Sequence, residues 1–366
     1  MPNGPSSHTE EHQTDYVVRR SWRQPRGAYH GFFTLWKDAG PDIPILKEAQ
    51  SGVRKAAVKS VAIPYRPAVQ KFLTGCGKPW LLTRNYPRLS YSSTVRTRET
   101  FIGRHPVASY FVSTLAISWI GALAVAAPHL MRREPLPKLT GILMFPAMLL
   151  GPCLAGITLT RIVDGEDGIW DLFSRMSRWR LPARWYAALL IPPILVLSVL
   201  FLLETFVSPA YAPNRFLAGI FFGVPAGLLE EIGWMGYAFP KMRSQKGALD
   251  ASILLGLLWA VWHLPVINYL GTATPHGGYW YAFFLAFTVA MIAMRVLICW
   301  IYTNTESVLL SQFMHVSSTG SLVIFSAPGV SAAQEAFWYG LYGITLWVVV
   351  AIIAKIYGRR MTRQTA

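Results

Sequence analysis

The stretch YWYAFFLAFTVAMIAMRVLICWI, Tyr279 to Ile301, holds a single charged side chain, Arg295, in an otherwise apolar run. At 1.5 Å of helical rise per residue, roughly 20 such residues cross the hydrocarbon core of a bilayer, so the run reads as a transmembrane helix. Seven more runs of the same kind lie along the chain. They extend from Val107 to Ala127, Leu139 to Thr160, Trp185 to Phe206, Phe216 to Phe239, Ala248 to Leu270, Val308 to Phe325 and Phe337 to Tyr357. Short polar loops separate them, which predicts an all-α, polytopic membrane helical bundle of about eight spans. Pro192, Pro193 and Pro225 inside spans predict kinks, which a bundle tolerates where neighbouring helices satisfy the freed carbonyls.

Composition points the same way. Of the 366 residues 53% are hydrophobic and 14% charged, against roughly 25% charged in an ordinary soluble domain; the mean hydropathy is +0.34. The net charge of +16 is uneven, with 17 Lys and Arg against 7 acids in residues 1–105 and 17 against 11 in the rest. Beside long apolar runs, this excess reads as Lys and Arg held at an anionic membrane face, with the lipid bilayer as partner and no nucleic acid. Alternate loops divide the basic residues sharply: 15 on the side that includes the 161–184 and 241–246 loops, and only Arg132, Arg133, Lys138 and Arg215 on the other. Positive charge is retained on the cytoplasmic side, so both termini are expected in the cytoplasm of a cell whose inner membrane holds the chain. Cys153 and Cys299 fall inside apolar runs and Cys76 in a polar stretch, a pattern with neither a disulfide framework nor a cysteine metal site.

The chain divides into a basic extension over 1–105, a transmembrane domain over 106–360 and a short cytoplasmic tail over 361–366. Residues 52–100 hold ten Lys and Arg against Glu99 alone, which argues against a packed core and for disorder. No apolar segment of signal-peptide type comes after the charged start. Within the extension, FFTLWKDAGPDIPILKEAQ, Phe32 to Gln50, is similar to the C-terminal end of bacterial tetratricopeptide-containing proteins.

An ionisable side chain at the centre of a span costs about 2.5–3.5 kcal/mol on insertion scales, so each one present needs a reason. There are few: Glu230 and Glu231 in the fourth span, His263 in the fifth, Arg295 in the sixth and His315 in the seventh, with Glu204 near a span end. Adjacent helical residues point about 100° apart, so Glu230 and Glu231 are expected to play different parts. A desolvated carboxylate beside an imidazole suits a general base that takes a proton from water. His263 would share that water or shuttle its proton, and His315 would bond the oxygen that becomes negative when a peptide carbonyl is attacked.

Three other readings stand beside this one: a proton relay or transporter, a zinc site, and a purely structural tie such as Glu231 with Arg295. The zinc reading lacks HExxH or any other compact ligand motif, and the reading adopted calls for neither metal nor cofactor. Gly219, Gly223 and Gly227, four residues apart, predict close helix packing. Trp259 and Trp262 read as packing or cavity wall, and Pro265 as a break just after His263. Counted from the span ends, the glutamates and His263 lie about 10 Å apart in depth, a gap that tilt or the break at Pro265 has to close.

Three segments carry a resemblance. LLEEIGWMGYAFPKM, Leu228 to Met242, is similar to an EExxxR motif; GLLWAVWHLPV, Gly256 to Val266, to a motif with an aromatic residue, here Trp259, four before a histidine, here His263; and SQFMHVSST, Ser311 to Thr319, to HxxxN, with His315 in the histidine place. RVLICWIYTNTESVLL, Arg295 to Leu310, is similar to the stretch before the last of these. In this order they resemble the CPBP family of intramembrane, metal-independent glutamic endopeptidases, also called the CAAX protease and bacteriocin-processing family, over residues 100–360. The resemblance implies an eight-helix fold with a cavity open to the cytosol and a peptide or membrane-protein substrate. It implies Glu230 as base, His263 assisting it, His315 holding the oxyanion and Glu231 as a supporting acid. Two positions depart from the pattern: Met235 stands in the arginine place and Thr319 in the asparagine place. Threonine still donates a hydrogen bond from a shorter arm, whereas methionine supplies neither charge nor donors; Arg295 is a candidate to compensate. The alternatives left open are a catalytically inactive relative that acts as a membrane binding or immunity protein, and a transporter.

Overall fold

The computed structural model describes residues 100–362. The basic extension expected over 1–105 therefore lies outside the described residues up to position 99, and so does the tetratricopeptide-like segment.

The described residues form helices connected by short loops. We number the principal helices α1 (Pro106–Arg132), α2 (Lys138–Leu159), α3 (Gly165–Met176), α4 (Ile191–Phe206), α5 (Ile220–Gly233), α6 (Phe239–Lys246), α7 (Ala248–Trp262), α8 (Trp280–Thr305), α9 (Val308–Phe325) and α10 (Ala332–Tyr357). Among the described residues seven helical segments are long and apolar enough to cross a membrane. The expected fifth span, Ala248 to Leu270, is not one helix. Its α-helical part is the 15-residue α7, succeeded by a 3-10 segment, Leu264–Tyr269. The cause is Pro265, which lacks an amide hydrogen and whose ring clashes with the preceding turn. The third span runs from Ala183 to Phe206, with a 3-10 turn at Ala188–Leu190 just ahead of Pro192 and Pro193 at the first turn of α4. At the ends of the described region, Thr100 caps a one-turn helix, Phe101–Arg104, and Met361 is buried and accepts from Asn304.

Large apolar side chains such as Ile120, Phe221, Leu285 and Ile352 face outward, as a bundle in lipid requires. Buried hydroxyls bond carbonyls four residues back, as Thr160 does to Gly156, Ser252 to Ala248 and Thr305 to Ile301, which satisfies polar groups where no water is available. Small residues set the helix spacing. A Cβ on Gly223 would stand 2.8 Å from the Gly320 nitrogen, one on Gly227 2.7 Å from the Gln312 carbonyl, and one on Gly219 2.8 Å from Val323. These glycines let α5 lie against α9, and Gly256 does the same for α7 against Ile292 of α8. Polar ties gather the basic segments at one end of the bundle. Lys241 bonds both oxygens of Asp164 at 2.8 Å, Arg175 reaches the Tyr302 hydroxyl at 2.6 Å and the Gly236 carbonyl at 3.0 Å, and Arg178 the Thr305 carbonyl.

Candidate active site

Glu230 and Glu231 sit in the last turn of α5, and their side chains diverge to different neighbours. Glu230 is 2% exposed. Its Oε2 accepts the indole N–H of Trp259 on α7 at 2.8 Å and that of Trp234, one turn further along, at 3.2 Å. Among the described residues no donor engages Oε1. Glu231 is fully buried and faces the other way. Nη1 of Arg295, on α8, lies 2.8 Å from both of its oxygens, and His315 Nδ1, on α9, lies 2.7 Å from Oε1. Two guanidinium nitrogens of Arg295, Nε and Nη2, are buried without a protein partner.

Trp259 is the hub of this arrangement. Besides holding Glu230, its ring lies 4.0 Å beneath the Arg295 guanidinium carbon, with the His263 ring edge-on at 5.3 Å and the His315 ring at 5.2 Å. A cation over an indole face, desolvated as here, is stabilised by the ring quadrupole. His263 terminates α7, and its Nδ1 lies 2.8 Å from the Trp259 carbonyl. A carbonyl only accepts, so Nδ1 carries the proton and Nε2 is left with a lone pair in the neutral ring. Around the other side, Trp262 packs on His263 at 4.7 Å and on Trp234 at 6.0 Å. The expected gap in depth is thus spanned by indoles: no hydrogen bond or ion pair among the described residues joins Glu230 to His263 directly, yet both touch Trp259.

The two departures from the motif pattern have clear surroundings. Met235 is fully buried in a π-helical turn, Trp234–Ala238, with its sulfur 3.9 Å from Cys299. Cys299 is one turn beyond Arg295, so the guanidinium that pairs with Glu231 enters from α8, beside the place where the motif would supply it from the π-helical turn after α5. Thr319 is half-buried one turn after His315 on α9. Among the described residues no group of three His, Cys, Asp or Glu side chains converges as metal ligands would.

Sequence reasoning missed three contributors. Trp234 was legible as an aromatic residue four after Glu230, hence on the same helical face. Ser118, which accepts from Trp262 Nε1 at 2.8 Å and donates to the Met148 carbonyl, and Tyr110, whose ring meets Trp234 at 5.4 Å, belong to α1 and carried no local signal.

A family model described as type II CAAX prenyl endopeptidase Rce1-like matches residues 211–320, the interval that contains Glu230, Glu231, Trp259, His263, Arg295, His315 and Thr319. Over that interval the chain is similar to the CPBP family. A relative, CAAX prenyl protease 2 of Methanococcus maripaludis, is 26% identical over 221 residues, covering 56% of this chain and 80% of its own. These matches make the chain similar to CAAX-type membrane proteases, and its apolar helices are those of a multi-pass membrane protein.

Proposed function

We propose that the chain is an intramembrane endopeptidase in which Glu230 activates water for attack on a peptide bond held near the bilayer. The observation that carries this reading is the asymmetry of the Glu230 carboxylate: Oε2 is held by two indoles, while Oε1 meets no protein donor among the described residues. A buried carboxylate oriented through one oxygen presents the other to a substrate atom, which suits a base. A water between Oε1 and the His263 Nε2 lone pair would be oriented by two acceptors. Glu230 takes a proton from it as the water oxygen bonds to the carbonyl carbon. With Nδ1 turned to Glu231, a protonated Nε2 of His315 and the Thr319 hydroxyl would donate to the oxygen that becomes negative. Collapse breaks the C–N bond, and the proton held by Glu230 passes to the departing amine.

In this reading Glu231 and Arg295 do not meet the substrate; they orient His315. No metal or cofactor takes part, the chain lies in the cell's inner membrane, and both termini are cytoplasmic. The substrate is a peptide or membrane-protein segment, with a prenylated C-terminal peptide the first to test because the archaeal relative bears the name CAAX prenyl protease 2.

Met235 and Thr319 favour a second reading, a non-catalytic family member that binds membrane peptides, since both lack a group that the motif supplies. The decisive experiment incubates the purified protein with a peptide library that includes prenylated CAAX peptides, with and without chelator. Cleavage that survives chelation and disappears in Glu230→Gln supports the endopeptidase. Cleavage lost on chelation and restored by zinc overturns the metal-independent mechanism, and peptide binding without cleavage favours the second reading.

A further inference from the structure

A second buried carboxylate lies outside this cluster. Glu335, in the first turn of α10, is fully buried. Its Oε1 accepts from the Thr272 amide at 2.8 Å and the Thr272 hydroxyl at 3.3 Å, and its Oε2 from the Ala273 amide at 2.9 Å. His276 Nε2 stands 3.2 Å from Oε2, off the hydrogen-bond axis, with its ring stacked on Phe283 at 3.7 Å. Gly271 adopts φ +80°, and a Cβ there would collide with the Glu335 carboxylate. The segment from 271 to 276 therefore wraps around this one side chain, and the Thr272 hydroxyl also donates to the Ala327 carbonyl in the α9–α10 connection.

That segment continues the 3-10 stretch that begins immediately after His263. Pro265 ends α7, and the 3-10 turn that continues from it takes the His263 carbonyl through the Val266 amide at 2.9 Å, so the imidazole's backbone is tied to the placement of that 3-10 stretch. Beyond Pro265, Val266 and Ile267 are buried, the Tyr269 ring lies against Gly141 of α2, and the far end of the segment is held by Glu335 through the Thr272 and Ala273 amides. We infer that Glu335 is a positioning residue for His263, a clamp on α10 that fixes the loop from which the imidazole is presented. The inference rests on the proposed endopeptidase reading for its kinetic consequence but not for its structural one. A carboxylate fits this task better than an amide, because it accepts on both oxygens from two backbone N–H groups, whereas an amide nitrogen set against the Ala273 amide meets donor with donor.

The test uses the full chain in detergent, with ¹⁵N-labelled histidine, comparing wild type with Glu335→Gln and Glu335→Ala. Loosening the loop displaces the imidazole without altering where substrate binds, so kcat is expected to fall roughly tenfold or more with KM within about twofold; a misplacement of about 1 Å can cost 10² in rate. The His263 ring resonances, identified by their loss in His263→Gln, are expected to shift, while those of His315, anchored by Glu231, stay in place. Should Glu335→Ala fail to fold, Glu335→Gln carries the same readouts. An unmoved His263 resonance, or a His315 resonance that shifts equally, overturns the inference, as does a wild-type kcat in an active Glu335 variant. If the wild-type chain hydrolyses nothing, the endopeptidase reading fails separately and the resonances alone decide the clamp.

Discussion

Trp259 donates its indole N–H to Oε2 of Glu230 over 2.8 Å, and this one bond joins α5 to α7 at the centre of the proposed chemistry. The same ring lies under Arg295 and between His263 and His315, so four ionisable groups from four helices take their places around one side chain.

Trp259→Phe keeps most of the ring but removes the donor. Hydrogen bonds to charged groups contribute about 1.5–3 kcal/mol, so kcat is expected to fall roughly 10- to 100-fold in steady-state peptide cleavage. An unchanged kcat would show that Trp234 alone orients the base.

Glu230→Gln preserves an acceptor for the two indoles while removing the base. Loss of general-base catalysis costs about 10²–10⁴ in rate, so turnover is expected to drop to background, with the protein still recovered from the membrane fraction at wild-type yield. Wild-type turnover in this variant would eliminate the mechanism.

Arg295→Met leaves Glu231 buried without the guanidinium nitrogen that meets both of its oxygens. Stranding a buried charge in this way costs about 3–5 kcal/mol, which should lower the thermal unfolding midpoint in detergent. Adding Met235→Arg, with position 235 packed against Cys299 one turn from Arg295, is expected to restore part of the loss. An Arg295→Met protein as stable as wild type would mean that Glu231 is satisfied by His315 alone.

Thr319→Asn lengthens the arm of a donor one turn from His315. One oxyanion donor is worth roughly 10² or more in kcat, so turnover at saturating substrate is expected to rise. If Thr319→Asn combined with Met235→Arg leaves the chain inactive on peptides that the archaeal relative cleaves, the non-catalytic reading prevails.

Gly227→Leu forces side-chain atoms into the Gln312 carbonyl and the Val316 amide, which an added Cβ would approach at 2.7 and 2.8 Å. Overpacking of this sort costs about 1–3 kcal/mol. Because the same contact holds Glu231 beside His315, the unfolding midpoint and the turnover should fall together.

The sequence by itself determined that this is a helical bundle in a membrane. Seven of the apolar runs form helices long enough to span a bilayer among the described residues. It also singled out Glu230, Glu231, His263, Arg295 and His315, since a titratable group among apolar neighbours is conspicuous by its cost. The break after His263 was legible from Pro265 alone, because the missing amide hydrogen is a property of that residue and needs no partner.

Only the tertiary structure decided who meets whom. Helical periodicity sends Glu230 and Glu231 about 100° apart, but which one faces Trp259 and which faces Arg295 and His315 depends on how α5 lies against α7, α8 and α9. That placement is set by close approaches at Gly223, Gly227 and Gly256. The clamp at Glu335 was invisible for the same reason: its partners Thr272 and Ala273 lie 63 and 62 residues away in the chain. A carboxylate at the first turn of a helix looks locally like a favourable charge at the positive end of the dipole, and nothing in its own neighbourhood announces that a distant loop folds around it.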